Sequence, residues 1–329
     1  MSNLEQDPRE TVSPGRVAVA EPEWQELEGR VVPLGRYAMV RRFLPHRSRP
    51  TVGAWCFVDH YGPDDVSQGP GMSIPAHPHC GLQTVSWLLE GEVHHRDSLG
   101  SEQLIQPGQL NLMTAGHGIA HAEASPAQRP SGLHGVQLWI ASPDATRDGP
   151  ARFDHHADLP VLRLGGAVVT VLVGELAGER SSARVDTPLV GADVALAAGA
   201  ALTLDPDPAF EHAVVVLTGQ ADVDERPVAA NTMAYLGCGR SGLRLSAADE
   251  TRLLLLGGAP FEEPLVMWWN FVGRTHDNIA RARADWSAEI ADGRVVPHDD
   301  GRFGGVGGVD GGPLPAPPLP LTRLRPRSR

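Results

Sequence analysis

Between Gly29 and Ile140 the chain is a succession of short apolar runs, each closed by turn residues. RYAMVRRFLP, TVGAWCFVDHYGP, GLQTVSWLLEGEV, EQLIQPGQLNLMTAG and GVQLWIASP read as strands or strand pairs, rich in β-branched and aromatic residues. Pro107-Gly108 sets a turn between two of them. Helical periodicity does not intervene, so the pattern predicts an antiparallel sandwich or barrel. Residues 142–160 are polar and read as a connection. The same texture then returns from Ala167 to Gly258, in VVTVLVGEL, DVALAAGAALTLDP, HAVVVLTGQADV, NTMAYL and TRLLLLGG. The period changes in RTHDNIARARADWSAEIADG, where Ile279, Ala282, Trp286 and Ile290 recur at helical spacing and Gly293 is placed to cap the end. That element is expected to be a C-terminal helix packed on a sheet.

Composition bounds this picture. A length of 329 residues accommodates two domains, and 37 glycines and 29 prolines with few aromatics suit many turns. The expected division is a flexible arm over 1–25, one domain over 26–150, a second with the closing helix over 151–300, and a disordered Gly/Pro-rich tail over 301–329. The tail ends in Arg323, Arg325, Arg327 and Arg329, which read as solvated charges more readily than as a contact surface. The net charge of −12 argues against direct nucleic-acid binding. No run has the length and apolarity of a membrane span. The polar start MSNLEQDPRETVSPG and three scattered cysteines fit a reducing cytoplasm.

The chemistry concentrates in the first half, where nine of the fourteen histidines lie between His46 and His134. Two triplets stand out: His77-Pro78-His79 and, about forty residues later, His121-Ala122-Glu123. Alternate side chains of a strand share a face, so each triplet aims two metal-ligating groups the same way. Two such strands side by side would bring three imidazoles and one carboxylate to a point. A first-row transition metal with open positions suits that set. Any one of these histidines is more often structural than ligating; the coincidence of four favours a metal.

Other polar residues carry weaker signals. His94 and His95 follow a turn; one could face the cavity, but a solvated edge is the stronger reading. His117 and His134 are sequence neighbours of the triplets and candidate hydrogen-bond donors to the site. Cys80 follows His79 and is expected to face away as a buried thiol. The halves also read as a degenerate repeat: with Glu90-Gly91 over Thr218-Gly219, Asp205-Pro206-Asp207 falls opposite the first triplet, and, after a five-residue gap, Arg244 and Ser246 fall opposite His121 and Glu123. The second half would then have lost its imidazoles. Asp205, Asp207, Glu211 and His212 could form a second metal cluster, but a solvated rim is the stronger reading.

FVDHYGP (57–63), HPHCGLQTVSWLLEGEV (77–93), HRDSLGS (95–101), PGQLNLMTAGHGIAHAE (107–123) and HGVQLWI (134–140) resemble the pirin family of the cupin superfamily. EPLVMWWNFVG (263–273) is similar to a pirin closing segment, so the resemblance covers residues 30 to 290. It implies an all-β bicupin: two jelly-roll-like cupin β-barrel domains packed face to face, with the C-terminal helix and one metal in the first barrel. By position it implies His77, His79, His121 and Glu123 as ligands. Gln83 stands where a cupin barrel often has glutamate, which makes Glu123 the expected carboxylate; the amide can still orient a ligand or a bound water but is not counted as a ligand.

The resemblance further implies a quercetin 2,3-dioxygenase activity, opening a flavonol or related enolic ring with dioxygen and releasing carbon monoxide. Fe(II) is the expected metal, with nickel, manganese, copper, cobalt and zinc as alternatives. Glu123 would be both ligand and catalytic base for the flavonol hydroxyl. The competing expectation is a non-enzymatic, iron-dependent redox sensor that binds a transcription factor or metabolic enzyme.

Overall fold

A computed structural model describes residues 8, 10–13, 15, 21–34, 38–291, 298–309 and 311–324. Two seven-stranded sheets form its centre. The first runs, in spatial order, Arg152–His156, Leu110–Thr114, Leu82–Glu90, Gly132–Ala141, Trp55–Asp65, Ala38–Leu44 and Arg30–Leu34. A four-stranded sheet of Ser73–His79, Ile119–Ala124, Val93–Asp97 and Glu102–Ile105 closes it into a barrel. The second half repeats the design. Its large sheet runs Val161–Leu164, Ala167–Val173, Leu189–Leu196, Thr251–Gly258, Glu211–Thr218, Thr232–Gly237 and Pro22–Glu28. Ala201–Leu204, Leu243–Ser246, Gln220–Val223 and Arg226–Ala229 make its small sheet. The protein is thus the expected pair of jelly-roll-like barrels.

The barrels meet through the backs of their large sheets. Val85, Leu112, Val136 and Leu138 from one pack with Ala213, Val215, Leu254 and Leu256 from the other in a single apolar cluster. Strands covered on both faces are buried along nearly their whole length, so they read as continuous runs and not as clean alternation. Trp55 pins the interface, its Nε1 donating to the carbonyls of Val190 at 3.1 Å and Gly257 at 3.2 Å. Gly191 leaves room for that ring; a Cβ there would lie 2.8 Å from it.

Each large sheet borrows its last strand from across the expected domain boundary. Pro22–Glu28, which begins within the expected flexible arm, pairs with Thr232–Gly237 in the second barrel. Arg152–His156, expected in the second domain, pairs with Leu110–Thr114 in the first. Both segments are polar and only partly buried. They join by backbone hydrogen bonds that no hydrophobic pattern announces.

The helix forms over His276–Glu289 with a capping box: Thr275 accepts from the Asn278 backbone N–H and the Asn278 side chain accepts in return from Thr275. It buries Ile279, Ala282 and Trp286 against the outer face of the small sheet of the first barrel, in a cluster with Ala76, Cys80, Ala120 and Ala122. Gly293, expected to cap it, lies outside the described residues.

The segment expected as a disordered tail is packed over 301–309 and 311–324. Phe303 is fully buried and its carbonyl accepts from Ala120 N at 2.9 Å. Leu314 N donates to Ala76 O at 2.8 Å, and Trp286 Nε1 donates to Leu314 O at 2.8 Å. Its Gly/Pro composition cannot build a core alone, yet it supplies isolated apolar residues to a core built elsewhere. Arg323 pairs with Asp277 at 2.6 Å; Arg325, Arg327 and Arg329 lie outside the described residues.

Candidate metal centre

The first triplet ends the strand Ser73–His79, the second lies in Ile119–Ala124, and the two strands pair antiparallel with His121 opposite His77. Gly81 makes the tight exit from the first strand: its φ is +70°, and a Cβ there would meet the Val272 carbonyl at 2.2 Å. Ala76, Ala120 and Ala122, the intervening small residues, face the helix and the C-terminal segment. His77, His79, His121 and Glu123 therefore face into the barrel, each 0–2% exposed.

Their hydrogen bonds set the tautomers. His77 Nδ1 donates to Pro75 O at 2.9 Å and His79 Nδ1 donates to Asn270 O at 3.1 Å. A proton on Nδ1 leaves the lone pair on Nε2. The Nε2 atoms of His77, His79 and His121 are all buried without a hydrogen-bond partner. Such atoms cost stability unless something binds them. Their ring centroids are 4.3–5.0 Å apart, and one ligand atom from each lies within 4.8 Å of the others. Burial holds all three imidazoles neutral, His79 at about 3 and the other two well below the usual value, His121 also through its neighbour His77. Neutral imidazoles with free lone pairs fit a metal ion.

His121 is oriented by residues that sequence reasoning missed. Its Nδ1 lies 3.4 Å from His95 Nδ1, and His95 Nε2 lies 3.1 Å from Asp97 Oδ2. The proton order that serves both contacts is Asp97 accepting from His95 Nε2–H, and His95 Nδ1 accepting from His121 Nδ1–H. Asp97 is fixed in turn by the backbone N–H groups of Leu99 and Ser101. His95 is thus buried, not on a solvated edge, while His94 is half-exposed. The signal was present: Val93, His95 and Asp97 share one face of a strand whose apolar member points inward. His95, His121 and Glu123 form a second close group of potential ligands. Ser86, from the facing sheet, reaches Glu123 Oε1 at 3.2 Å.

Other candidates lie elsewhere. His117 is exposed, near Asp148. His134 faces the opposite side of its sheet, where its Nε2 meets His60 Nε2 at 2.8 Å. Burial lowers that pair to about 4 and about 3. Gln83 is fully buried but bonds Thr114 Oγ1, Arg184 O and Asp186 N. It clamps the two domains together instead of orienting a ligand, because a strand residue one position off the barrel-facing Thr84 points to the interface.

The second barrel has no counterpart among the described residues. Arg244 and Ser246, aligned by sequence with His121 and Glu123, face outward. Leu204, Leu243 and Leu245 are the inward residues of the equivalent strands, all 0–2% exposed. The repeat is real in topology but one residue out of the sequence register, which exchanges the faces. Asp205 and Asp207 are exposed, and Glu211 accepts from Tyr235 Oη and Gly53 N.

Family models agree with this architecture. Pirin matches residues 37–140 and the pirin C-terminal cupin domain matches residues 191–290. The chain belongs to the pirin family. A Pseudomonas aeruginosa protein named "Putative quercetin 2,3-dioxygenase PA1205" is 46% identical over 297 residues, 90% of each chain. The crystal structure of a quercetin 2,3-dioxygenase from Acinetobacter baumannii superposes with a TM-score of 0.85 at 40% identity, covering 92% of this pirin and 98% of that chain. An Escherichia coli pirin solved with nickel(II) shares the fold at TM-score 0.57 and 16% identity, covering 72% and 100%. Among the described residues of this pirin, no helix is long and apolar enough to cross a membrane.

Proposed function

We propose that His77, His79, His121 and Glu123 hold one divalent metal, Fe(II) in the native protein, and that the chain is a dioxygenase acting on a flavonol such as quercetin or a related enolic ring. The three partnerless, buried Nε2 atoms converging beside Glu123 carry this reading. The relatives named for quercetin dioxygenation support the reaction class. Three neutral imidazoles and one carboxylate would leave a dication with one net positive charge, which favours an anionic enolate oxygen as ligand. When bound, the metal supplies a place for the enolate and dioxygen and the electron density that oxygen reduction requires.

The chain's own residues prepare that encounter. Glu123 accepts the flavonol hydroxyl proton, and Ser86 steadies Oε1 of the same carboxylate. Asp97 and His95 hold the His121 ring in the tautomer that presents Nε2. The barrel wall of Phe57, Trp139 and Phe153 excludes water from the ring-opening chemistry. The test is direct. Protein loaded anaerobically with Fe(II) and mixed with quercetin should, on admission of air, consume oxygen, bleach the flavonol absorbance and release carbon monoxide. A fully loaded protein that turns over no member of a flavonol panel would refute the dioxygenase reading. His79→Ala should lose bound metal and all turnover while keeping the fold; full metal content in that variant removes His79 from the ligand set.

A further inference from the structure

The sheet facing the proposed centre is patterned in two rows. Antiparallel register aligns Phe57, Trp139, Thr84, Met113 and Phe153 across five strands. The next row along the same face aligns Asp59, Gln137, Ser86, Asn111 and His155. Three contacts show that these rows look onto the ligand-bearing sheet. Trp139 meets His79 edge-on at 5.1 Å, Phe153 stacks on His95 at 4.4 Å, and Ser86 reaches Glu123. One row is apolar and largely aromatic; the other is polar.

The polar groups are unequally used. Their acceptors are engaged: Asn111 Oδ1 takes the His155 Nδ1–H at 2.7 Å, Asp59 binds Arg42 through both oxygens at 2.8 Å, and Gln137 Oε1 at 2.8 Å shares the single Ser86 Oγ–H with Glu123 Oε1 at 3.2 Å. Three donors are not. Asn111 Nδ2, Gln137 Nε2 and Trp139 Nε1 are buried without a hydrogen-bond partner, on residues 1–3% exposed. The interior of the second barrel is lined mainly by Val, Leu and Ala instead, with His212 a buried polar member beside Val214. Buried donors left open cost stability, and three beside one site indicate a ligand that brings acceptors.

We propose that these two rows are the substrate-recognition surface of the centre. It takes a planar ring that carries oxygen acceptors along one edge. That edge faces Asn111, Gln137 and the Trp139 N–H, while the carbon face lies on the row of Trp139, Met113 and Phe153. This rests on the metal-centre reading and adds to it the residues that select the ligand. A site built around open donors discriminates strongly, because a ligand lacking the matching oxygens leaves those donors unpaired.

The proposal is tested with Co(II)-loaded full-length protein, whose visible bands report ligands entering the site, titrated anaerobically with 4-nitrocatechol and separately with azide. Nitrocatechol has the oxygen edge and the ring; azide has neither. Asn111→Leu should weaken nitrocatechol about 10-fold or more, on the scale of a lost buried hydrogen bond. Trp139→Phe, which keeps an aromatic ring beside Phe57 but removes the N–H together with part of the indole, should weaken it several-fold. Metal content and azide affinity should be those of the unmodified protein in both variants. The proposal is overturned if nitrocatechol fails to bind, if its affinity is insensitive to both variants, or if azide loses as much as nitrocatechol. The expected nitrocatechol pattern without flavonol turnover would refute the flavonol reading and leave the recognition surface standing.

Discussion

The two barrels share one topology and line their interiors in opposite ways. Leu204, Leu243 and Leu245 stand in the second barrel where His77, His121 and Glu123 stand in the first. The second interior forms its own cluster of Val, Leu and Ala, with Trp24 and Phe210 packed on it and, among the described residues, a single buried imidazole, His212, on the face that carries Val214 and Val216. The first interior keeps three open imidazole nitrogens and three open amide or indole donors. Burying apolar side chains stabilises each by about 1.5–3 kcal/mol, whereas each open polar atom subtracts about 1–3 kcal/mol. The second barrel, docked back to back with the first, contributes stability that the first gives up to hold a site.

The largest expected effect exchanges the two interiors at one position. Leu243→His should lower stability by about 2–4 kcal/mol, since it buries an imidazole among aliphatic groups. His121→Leu in metal-free protein should cost far less, or stabilise, because it removes a partnerless nitrogen. Urea unfolding of both variants in chelator decides the matter; equal losses would break the contrast. On the proposed metal centre, Asp97→Asn should weaken metal binding about 10–100-fold by disturbing the His95–His121 chain, with little change in the metal-free fold. Competition with a chelator of known affinity measures this.

A third prediction concerns pH. Burial holds His79 at about 3 and, in the second barrel, His212 at about 4. An unfolded histidine titrates at about 6.5. The folded values are lower, so the unfolded chain takes up protons first as pH falls. Metal-free stability is therefore complete above about pH 6.5 and declines towards pH 4, each such histidine adding about 1.4 kcal/mol per pH unit to the slope. His212→Leu should remove one proton's worth of that slope in urea titrations between those limits, and an unaltered slope would count against burial as its cause. The smallest effect is expected at the surface. Arg323→Ala breaks an exposed pair with Asp277 and should shift stability by under about 0.5 kcal/mol by thermal melting, unless that pair anchors the C-terminal segment.

Much of the fold was legible because strands and helix announce themselves locally. VVTVLVGEL, NTMAYL and TRLLLLGG became Ala167–Val173, Thr232–Gly237 and Thr251–Gly258, and the helical period of Ile279, Ala282 and Trp286 became the buried face of His276–Glu289. The triplets were legible for the same reason, since period-two spacing fixes a shared face. The exchanged strands Pro22–Glu28 and Arg152–His156 were not, because they are placed by backbone pairing with residues distant in sequence. From sequence His95 reads as part of a solvated edge and Asp97 has no assigned role, because what they do depends on which strand lies beside His121.

By itself, the sequence determined that two strands each present a pair of ligating groups on one face, since the pleat repeats every two residues wherever the strand lies. It also determined that the halves are β-rich and that a helix follows the last strands. Only the tertiary structure decided what surrounds those groups. Cross-strand register aligned Ser86, Asn111 and Gln137 opposite Glu123's sheet, and a one-residue difference in register turned leucines inward in the second barrel. The C-terminal Gly/Pro segment was ordered in the same way, by hydrogen bonds and apolar contacts to strands far away in sequence. Local periodicity sets which way a side chain points; which groups it meets depends on contacts between distant residues.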